Sequence, residues 1–284
     1  MELSRFAARA EDQIGLSTRK PGAISIYRLI EITGLKVSPA GSCMKILVYS
    51  DLHTEFEDFT PPATGADVVI LAGDIGVKTR GVQWANAAFG CPVIYVCGNH
   101  EFYDGHLERT LEEMKAVAAS HVHVLENECW IWNQTRFLCA TAWTDFSLTG
   151  STDIAMRRAA ERMNDFRVIR TGADNRRLRP EDVAVRNLAS RTWLSQELSK
   201  PFAGLTAVVT HHAPLVGVLN GPRDHLDAAY ANHWPDLVHQ ADLWVFGHTH
   251  CPVDLMERDC RVVSNPRGYP GERLQFRSDF EVEI

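Results

Sequence analysis

Pro92-Val93-Ile94-Tyr95-Val96-Cys97-Gly98-Asn99-His100-Glu101 is the stretch whose reading decides the fold. A short apolar run stops at a glycine and delivers an amide, an imidazole and a carboxylate directly behind it. Open α/β sheets build sites this way, because ligands sit beyond the carboxyl ends of their strands. Four other runs end in the same manner. Ile46–Tyr49 precedes Asp51-Leu52-His53, and Val68–Leu71 precedes Gly73-Asp74. Thr206–Val209 leads into His211-His212, and Leu243–Phe246 ends at Gly247-His248-Thr249-His250.

Between these strands the pattern turns helical. Val82, Trp84, Ala85 and Ala88 predict a helix over Arg80–Ala88. Leu107, Leu111, Met114 and Val117, three or four apart, predict another over Leu107–Ala119. Val122–Leu125 reads as a strand, and Cys129–Trp132 and Arg136–Ala142 flank Asn133-Gln134-Thr135 as a hairpin. Asp153–Asn164 reads as a helix followed by an arginine-rich loop. Pro180-Glu181-Asp182 reads as a helix start, with proline in the first turn and acids at the positive end of the dipole, and that helix should run to about Leu198. A loop and helix are expected up to about His239, then a closing hairpin from Val253–Met256 and Arg261–Val263. Strand and helix in alternation make the fold class α/β.

Residues 1–43 differ, mixing charge, Gly, Ser and Pro, whereas the clean pattern begins at Met44. The expected organisation is therefore an N-terminal extension over 1–43 and one domain over 44–284. The extension reads as loosely ordered chain or a start-site artefact; the other reading is a short helix over Ile26–Leu35 docked on the domain.

The 284 residues carry a net charge of -7, which argues against a broad basic face for long nucleic acid. The seven cysteines are odd in number and show no CxxC spacing, and the first residues have no apolar signal segment. Free thiols and a cytoplasmic location are the expectation. No apolar run approaches the roughly 18 residues of a membrane span.

The strand ends together offer Asp51, His53, Asp74, Asn99, His100, His211, His212, His248 and His250, with six of the chain's twelve histidines among them. Carboxylate plus imidazole suits Mn, Fe, Zn, Co or Ni better than the all-oxygen preference of Ca and Mg. The donors are too many for one tetrahedral ion. They suit two ions sharing a bridging carboxylate, an arrangement that clamps a phosphoryl group. Each motif alone is weak: a lone Gly-Asp is usually a turn, and Asp-x-His recurs by chance. Their occurrence at five strand ends is what carries weight.

The ordered set Asp51-x-His53, Gly73-Asp74, Gly98-Asn99-His100-Glu101, His211 and Gly247-His248-x-His250 resembles the calcineurin-like metallophosphoesterase superfamily from about Met44 onward. The resemblance implies a four-layer sandwich of two mixed β-sheets flanked by helices, and a binuclear centre of divalent or trivalent transition-metal ions. Asp51, His53 and His250 would hold one ion, Asn99, His211 and His248 the other, and Asp74 would bridge them. His100 would contact the phosphate and protonate the leaving group rather than ligate. The reaction expected is in-line attack on phosphorus by hydroxide generated at the metals. One departure stands out: Gly73-Asp74-Ile75-Gly76-Val77 lacks the final acid of the frequent Gly-Asp-x-x-Asp pattern. The family's alternative to catalysis is a non-catalytic scaffold for protein interaction. The substrate expected is a small phosphorylated molecule, a nucleotide or phosphodiester.

Weaker candidates surround this set. Glu101 is either an orienter of His100 or a surface acid. His212 stands behind the ligands, with His211 preferred as nearer the strand end. Arg80, Arg223 and Arg267 are candidates for a second phosphate or a substrate tail, with solvated surface the commoner role. Asn265-Pro266-Arg267-Gly268-Tyr269 reads as a turn near the site, Trp143 and Tyr230–Trp234 as pocket walls or rims, and Cys97 as a small buried residue.

Overall fold

A computed structural model describes residues 43–219 and 224–284. The expectations for residues up to 42, including Ile26–Leu35, and for Arg223 lie outside the described residues. Cys43–Ile284 forms one unit by its internal contacts.

The first sheet is built on β1 (Lys45–Tyr49), β2 (Val68–Ala72), β3 (Val93–Val96) and β4 (Val122–Val124). These four are mutually parallel, and β13 (Glu281–Glu283) closes the β1 edge antiparallel. The second sheet has the order β11-β12-β10-β9-β6-β5. It comprises β5 (Glu128–Trp132), β6 (Thr135–Ala140), β9 (Leu205–Thr210), β10 (Leu243–Val245), β11 (Val253–Glu257) and β12 (Cys260–Ser264). Its inner four strands are parallel, and β5 and β11 are antiparallel edges.

The continuous apolar runs follow from this arrangement, because a parallel strand covered on both faces needs apolar residues at every position. Ile46, Val48, Val68, Ile70 and Ile94 face Phe137, Ala207, Val209, Leu243 and Val245 in a core between the sheets. The alternate residues Leu47, Tyr49, Val69, Leu71 and Tyr95 pack against α1 (Arg80–Ala88) and α2 (Leu107–Val117), through Val82, Ala85, Leu107 and Met114. On the outer face of the second sheet, Leu138, Val208, Trp244 and Val262 meet Leu194 and Leu198 of α5 (Pro180–Leu198) and Leu237 and Val238 of α6 (Pro235–Val238). The layers therefore run helix, sheet, sheet, helix, as in the expected four-layer sandwich.

The hairpin turn is narrower than the sequence implied. Thr135 already pairs with Trp132, and only Asn133 and Gln134 turn, both at positive φ (45° and 61°), as a two-residue hairpin requires. The expected helix over Asp153–Asn164 is α3 (Thr152–Arg162), and a short α4 (Asp165–Val168) follows it where loop was expected. The arginine-rich segment beyond it is no simple loop: β7 (Arg170–Thr171) and β8 (Arg176–Arg177) pair antiparallel. Among the described residues, the loop before His239 contains the 3₁₀ turns Val216–Val218 and His225–Ala229, with α6 only four residues long.

Parallel pairing keeps the strand ends level. Tyr49 pairs with Leu71, Ala72 with Val96, and Val245 with Val209. The segments that leave β1, β2, β3, β9 and β10 therefore emerge together on one side of the two sheets.

Candidate metal centre

Polar donors from all five strand ends meet. His53 and His250 bring their Nε2 atoms to 3.1 Å, and His250 Nε2 lies 3.6 Å from Asp51 Oδ1. A second group forms around His211, whose Nε2 lies 3.2 Å from Asn99 Oδ1, 3.2 Å from His248 Nδ1 and 3.4 Å from Asp74 Oδ2. That same Asp74 oxygen is 4.0 Å from His53 Nε2, so it faces a nitrogen of each group. Asp51 with His53 and His250, and Asp74 with His211 and His248, each offer three donor atoms close enough for one ion.

The local backbone is bent to make this possible. Asp51, His53, Asp74, His248 and His250 all adopt left-handed conformations, with φ between 48° and 68°. Such a conformation costs a non-glycine residue roughly 1–2 kcal/mol. Asp and His enter it more readily than branched residues do. Gly73, at φ 86°, and Gly98 clear the space: a Cβ on Gly73 would overlap the His211 ring, and one on Gly98 would overlap the Asp74 carboxylate.

The donor set fits cations. His53, His211 and His250 each engage their outer Nδ1, with Glu55 at 3.2 Å, the Ala72 carbonyl at 2.9 Å and Glu272 at 2.7 Å. Each thus turns Nε2 inward, and a partner on the outer nitrogen is how metal-ligating histidines are oriented. Asp51 Oδ2 and His248 Nε2 are buried with no hydrogen-bond partner among the described residues. Burial opposes charge on Asp74, but His211 and His100 outweigh it and hold its carboxyl well below the usual range. Burial likewise opposes a proton on His211, yet Asp74 and then Asp51 raise it to about 9. Acids gathered this closely draw positive charge into the site, the role a metal ion fills.

The remaining sequence candidates fall into place around this centre. His100 puts its backbone N–H on Asp74 Oδ1 at 2.8 Å, and its ring stacks on Tyr103 with centroids 4.1 Å apart. Glu101 is neither a surface acid nor a partner of the His100 ring. It is fully buried, and its carboxylate accepts the backbone N–H groups of Asp74, Ile75, Gly76 and Gly98 and the hydroxyl of Tyr95. Two strand-end loops donate to one carboxylate, which fixes them against each other. His212 is buried behind His248, with ring centroids 4.2 Å apart, and Nδ1 on the Thr141 carbonyl. Burial, then His211, depresses its pKa to about 3, so it is neutral.

Arg267 does not line the cavity beside the centre. Its guanidinium donates to the Glu57 carboxylate at 2.6 Å and the Glu57 carbonyl at 2.8 Å, over the Phe59 ring. It ties down the 52–58 loop instead of facing substrate, because it follows a turn whose Asn265 is pinned to the Val48 carbonyl at 2.8 Å. Arg80 is exposed and also absent from the lining. Trp143 is buried and packs on His212, whereas Tyr230 stacks on His248 and does line the cavity.

Four further residues belong to the site and were not singled out as site residues from sequence. Asp165 accepts from Asn99 Nδ2 at 2.9 Å and from the Tyr103 hydroxyl at 2.8 Å. Tyr269 sets its hydroxyl 3.0 Å from His100 Nε2. Glu272 supports His250, and Glu55 lies 2.8 Å from His100 Nδ1. Of these, Glu55 carried a readable signal, lying two residues beyond Asp51-x-His53, and Tyr269 ends the turn read as near the site. A cavity of about 360 Å³ opens beside the donors, lined by Asp74, Asn99, His100, His248 and His250 and walled by Tyr103, Tyr230, Tyr269 and Arg162.

Residues 44–252 match the calcineurin-like phosphoesterase family, and the chain belongs to it. Members of this family use metal ions, and the donor groups described above are where this chain would hold them. The phosphopantetheinyl hydrolase of Mycobacterium tuberculosis superposes with a TM-score of 0.66 at 19% identity, over 86% of this chain and 97% of that one, which shows a shared fold. An uncharacterized protein of Acanthamoeba polyphaga mimivirus is 23% identical over 85% of this chain and 97% of its own length. Among the described residues no helix is long and apolar enough to cross a membrane.

Proposed function

We propose that this chain hydrolyses a small phosphate mono- or diester with two bound transition-metal ions. The observation that carries the reading is the convergence of two donor groups on Asp74 at the wall of a cavity. Asp51, His53 and His250 would hold one ion, and Asn99, His211 and His248 the other, with Asp74 shared. Bound metals of this kind supply Lewis acidity toward the phosphoryl oxygens and the attacking water. His100 stands beside the centre and gives a proton to the leaving oxygen. Tyr103, Tyr230 and Tyr269 offer faces for a flat or apolar substrate portion. Arg162 has no ion-pair or hydrogen-bond partner among the described residues, which leaves it available for a second anionic group. Nucleotides and phosphodiesters combine these features. Phosphopantetheinyl esters join the panel because the structurally similar mycobacterial protein is named for that group. A cytoplasmic setting would suit the cysteines, none of which forms a disulfide among the described residues.

The scaffold reading is disfavoured because every donor position is filled and His100 is retained. The deciding experiment loads the full chain with Mn²⁺ and offers 4-nitrophenyl phosphate, bis(4-nitrophenyl) phosphate, nucleotides and phosphopantetheinyl esters. Turnover abolished by chelation supports the reading. Full metal content without turnover of any ester would favour the scaffold, and one ion per chain at saturation would remove the second site.

A further inference from the structure

Val77 occupies the position where an acid often ends the family's second motif. The His100 ring nevertheless has a carboxylate on Nδ1, and it comes from another segment. Glu55, on the loop after β1, places Oε1 2.8 Å from His100 Nδ1 and 3.2 Å from His53 Nδ1. The Glu55 side chain is only 9% exposed and that of His100 5%, so water competes little for this contact. The ring is also held by Tyr103 on its face and meets Tyr269 at Nε2. One carboxylate oxygen therefore joins a metal-donor histidine to the histidine beside it.

We infer that Glu55, on the loop after β1, is the positioning residue for His100. The inference rests on the hydrolase reading given above. With Nδ1–H held by Glu55, the ring cannot rotate about its Cβ–Cγ bond without breaking that bond. Nε2 is kept toward Tyr269 and the cavity. In the reaction the water oxygen forms a new P–O bond as the bond to the leaving group breaks. The leaving oxygen takes the electron pair and the Nε2 proton, leaving neutral imidazole, and the proton lost by water restores the imidazolium. Glu55 touches neither phosphorus nor the leaving oxygen.

The test compares 2,4-dinitrophenyl and phenyl esters of the phosphate class that the wild type turns over. The first leaving group needs no proton and the second does. Glu55→Gln is expected to widen the ratio of kcat/KM between the two esters by about 100-fold, at unchanged metal content by plasma mass spectrometry. An unchanged ratio, or a loss that simply follows lost metal, overturns the inference. A second measurement is independent of turnover: the low-field Nδ1–H proton resonance of His100 in the metal-free protein, assigned by its absence in His100→Gln. It is expected to vanish or move upfield in Glu55→Ala, and its persistence at the same position overturns the inference. If the wild type hydrolyses neither ester, the hydrolase reading fails, while the resonance still decides whether Glu55 holds the ring.

Discussion

Asp165 Oδ1 accepts two hydrogen bonds at once, from Asn99 Nδ2 at 2.9 Å and from the Tyr103 hydroxyl at 2.8 Å. An amide can present either its oxygen or its nitrogen to a cation, and only the oxygen ligates. Asp165 binds the nitrogen end and so turns Oδ1 of Asn99 toward His211. Asp165→Ala is expected to weaken metal binding at this position by about 10–100-fold. Competition with a chromophoric chelator measures it. Affinity equal to wild type would show that the amide is oriented by something else.

Asp74 Oδ2 faces both donor groups. Asp74→Ala should abolish turnover and weaken both metals, whereas His100→Ala should lower turnover with both metals retained. Metal analysis beside steady-state kinetics separates the two outcomes. A His100→Ala protein that arrives empty would place His100 among the ligands.

Arg162 lies on the cavity wall with its charge unmatched among the described residues. Arg162→Ala should raise KM for phosphates carrying a second anionic group by about tenfold relative to a simple aryl phosphate. That factor corresponds to about 1.4 kcal/mol. An unchanged KM ratio across nucleoside mono- and diphosphates would return Arg162 to ordinary solvated surface.

Glu101 accepts four backbone N–H groups and one hydroxyl in the interior. Its removal strands several buried donors, each worth about 1–3 kcal/mol. Glu101→Ala should therefore lose about 3 kcal/mol or more in urea unfolding of the metal-free protein. A loss below about 1 kcal/mol would mean that water replaces the carboxylate.

The metal-free protein should show a pH window set by Glu55 and His100. Burial disfavours charge on His100, yet Asp74 and Glu55 raise it from 6.5 to about 9. Burial also disfavours charge on Glu55, yet hydrogen bonds from His100 and His53 lower it from 4.5 to about 2. The His100 share of stability is complete below pH 6.5 and is lost as pH rises through about 9. The Glu55 share is complete above pH 4.5 and is lost as pH falls through about 2. In chelator, the difference in Tm between wild type and Glu55→Gln should be largest from pH 4.5 to 6.5 and shrink toward pH 9. A flat difference across that range would sink this account.

The strands that carry the site were legible because each is a continuous apolar run, which a strand buried on both faces must be. The seven proposed donors were legible because each follows such a run at once. The orienting groups were not. Asp165 meets Asn99 across 66 residues of sequence, and Tyr269 meets His100 across 169. Neither contact leaves a periodic or spacing signal, since it is created by how distant loops pack. Arg267 misled for the same reason: its charge is visible in sequence, whereas the pinned turn that aims it at Glu57 is not. The short α4 was not read because four residues, Asp165–Val168, are too few to show a helical repeat of apolar positions.

The left-handed backbone at Asp51, His53, Asp74, His248 and His250 limits what evolutionary drift can do to this molecule. A descendant freed from catalysis would still inherit those bends, because the sheets beneath them remain. Replacement by valine or isoleucine would meet a steric penalty at every one of the five positions, whereas asparagine or glycine would relieve it. Loss of activity in this lineage should therefore leave a recognisable scar of Asn and Gly at these five positions, rather than a random scatter of residues.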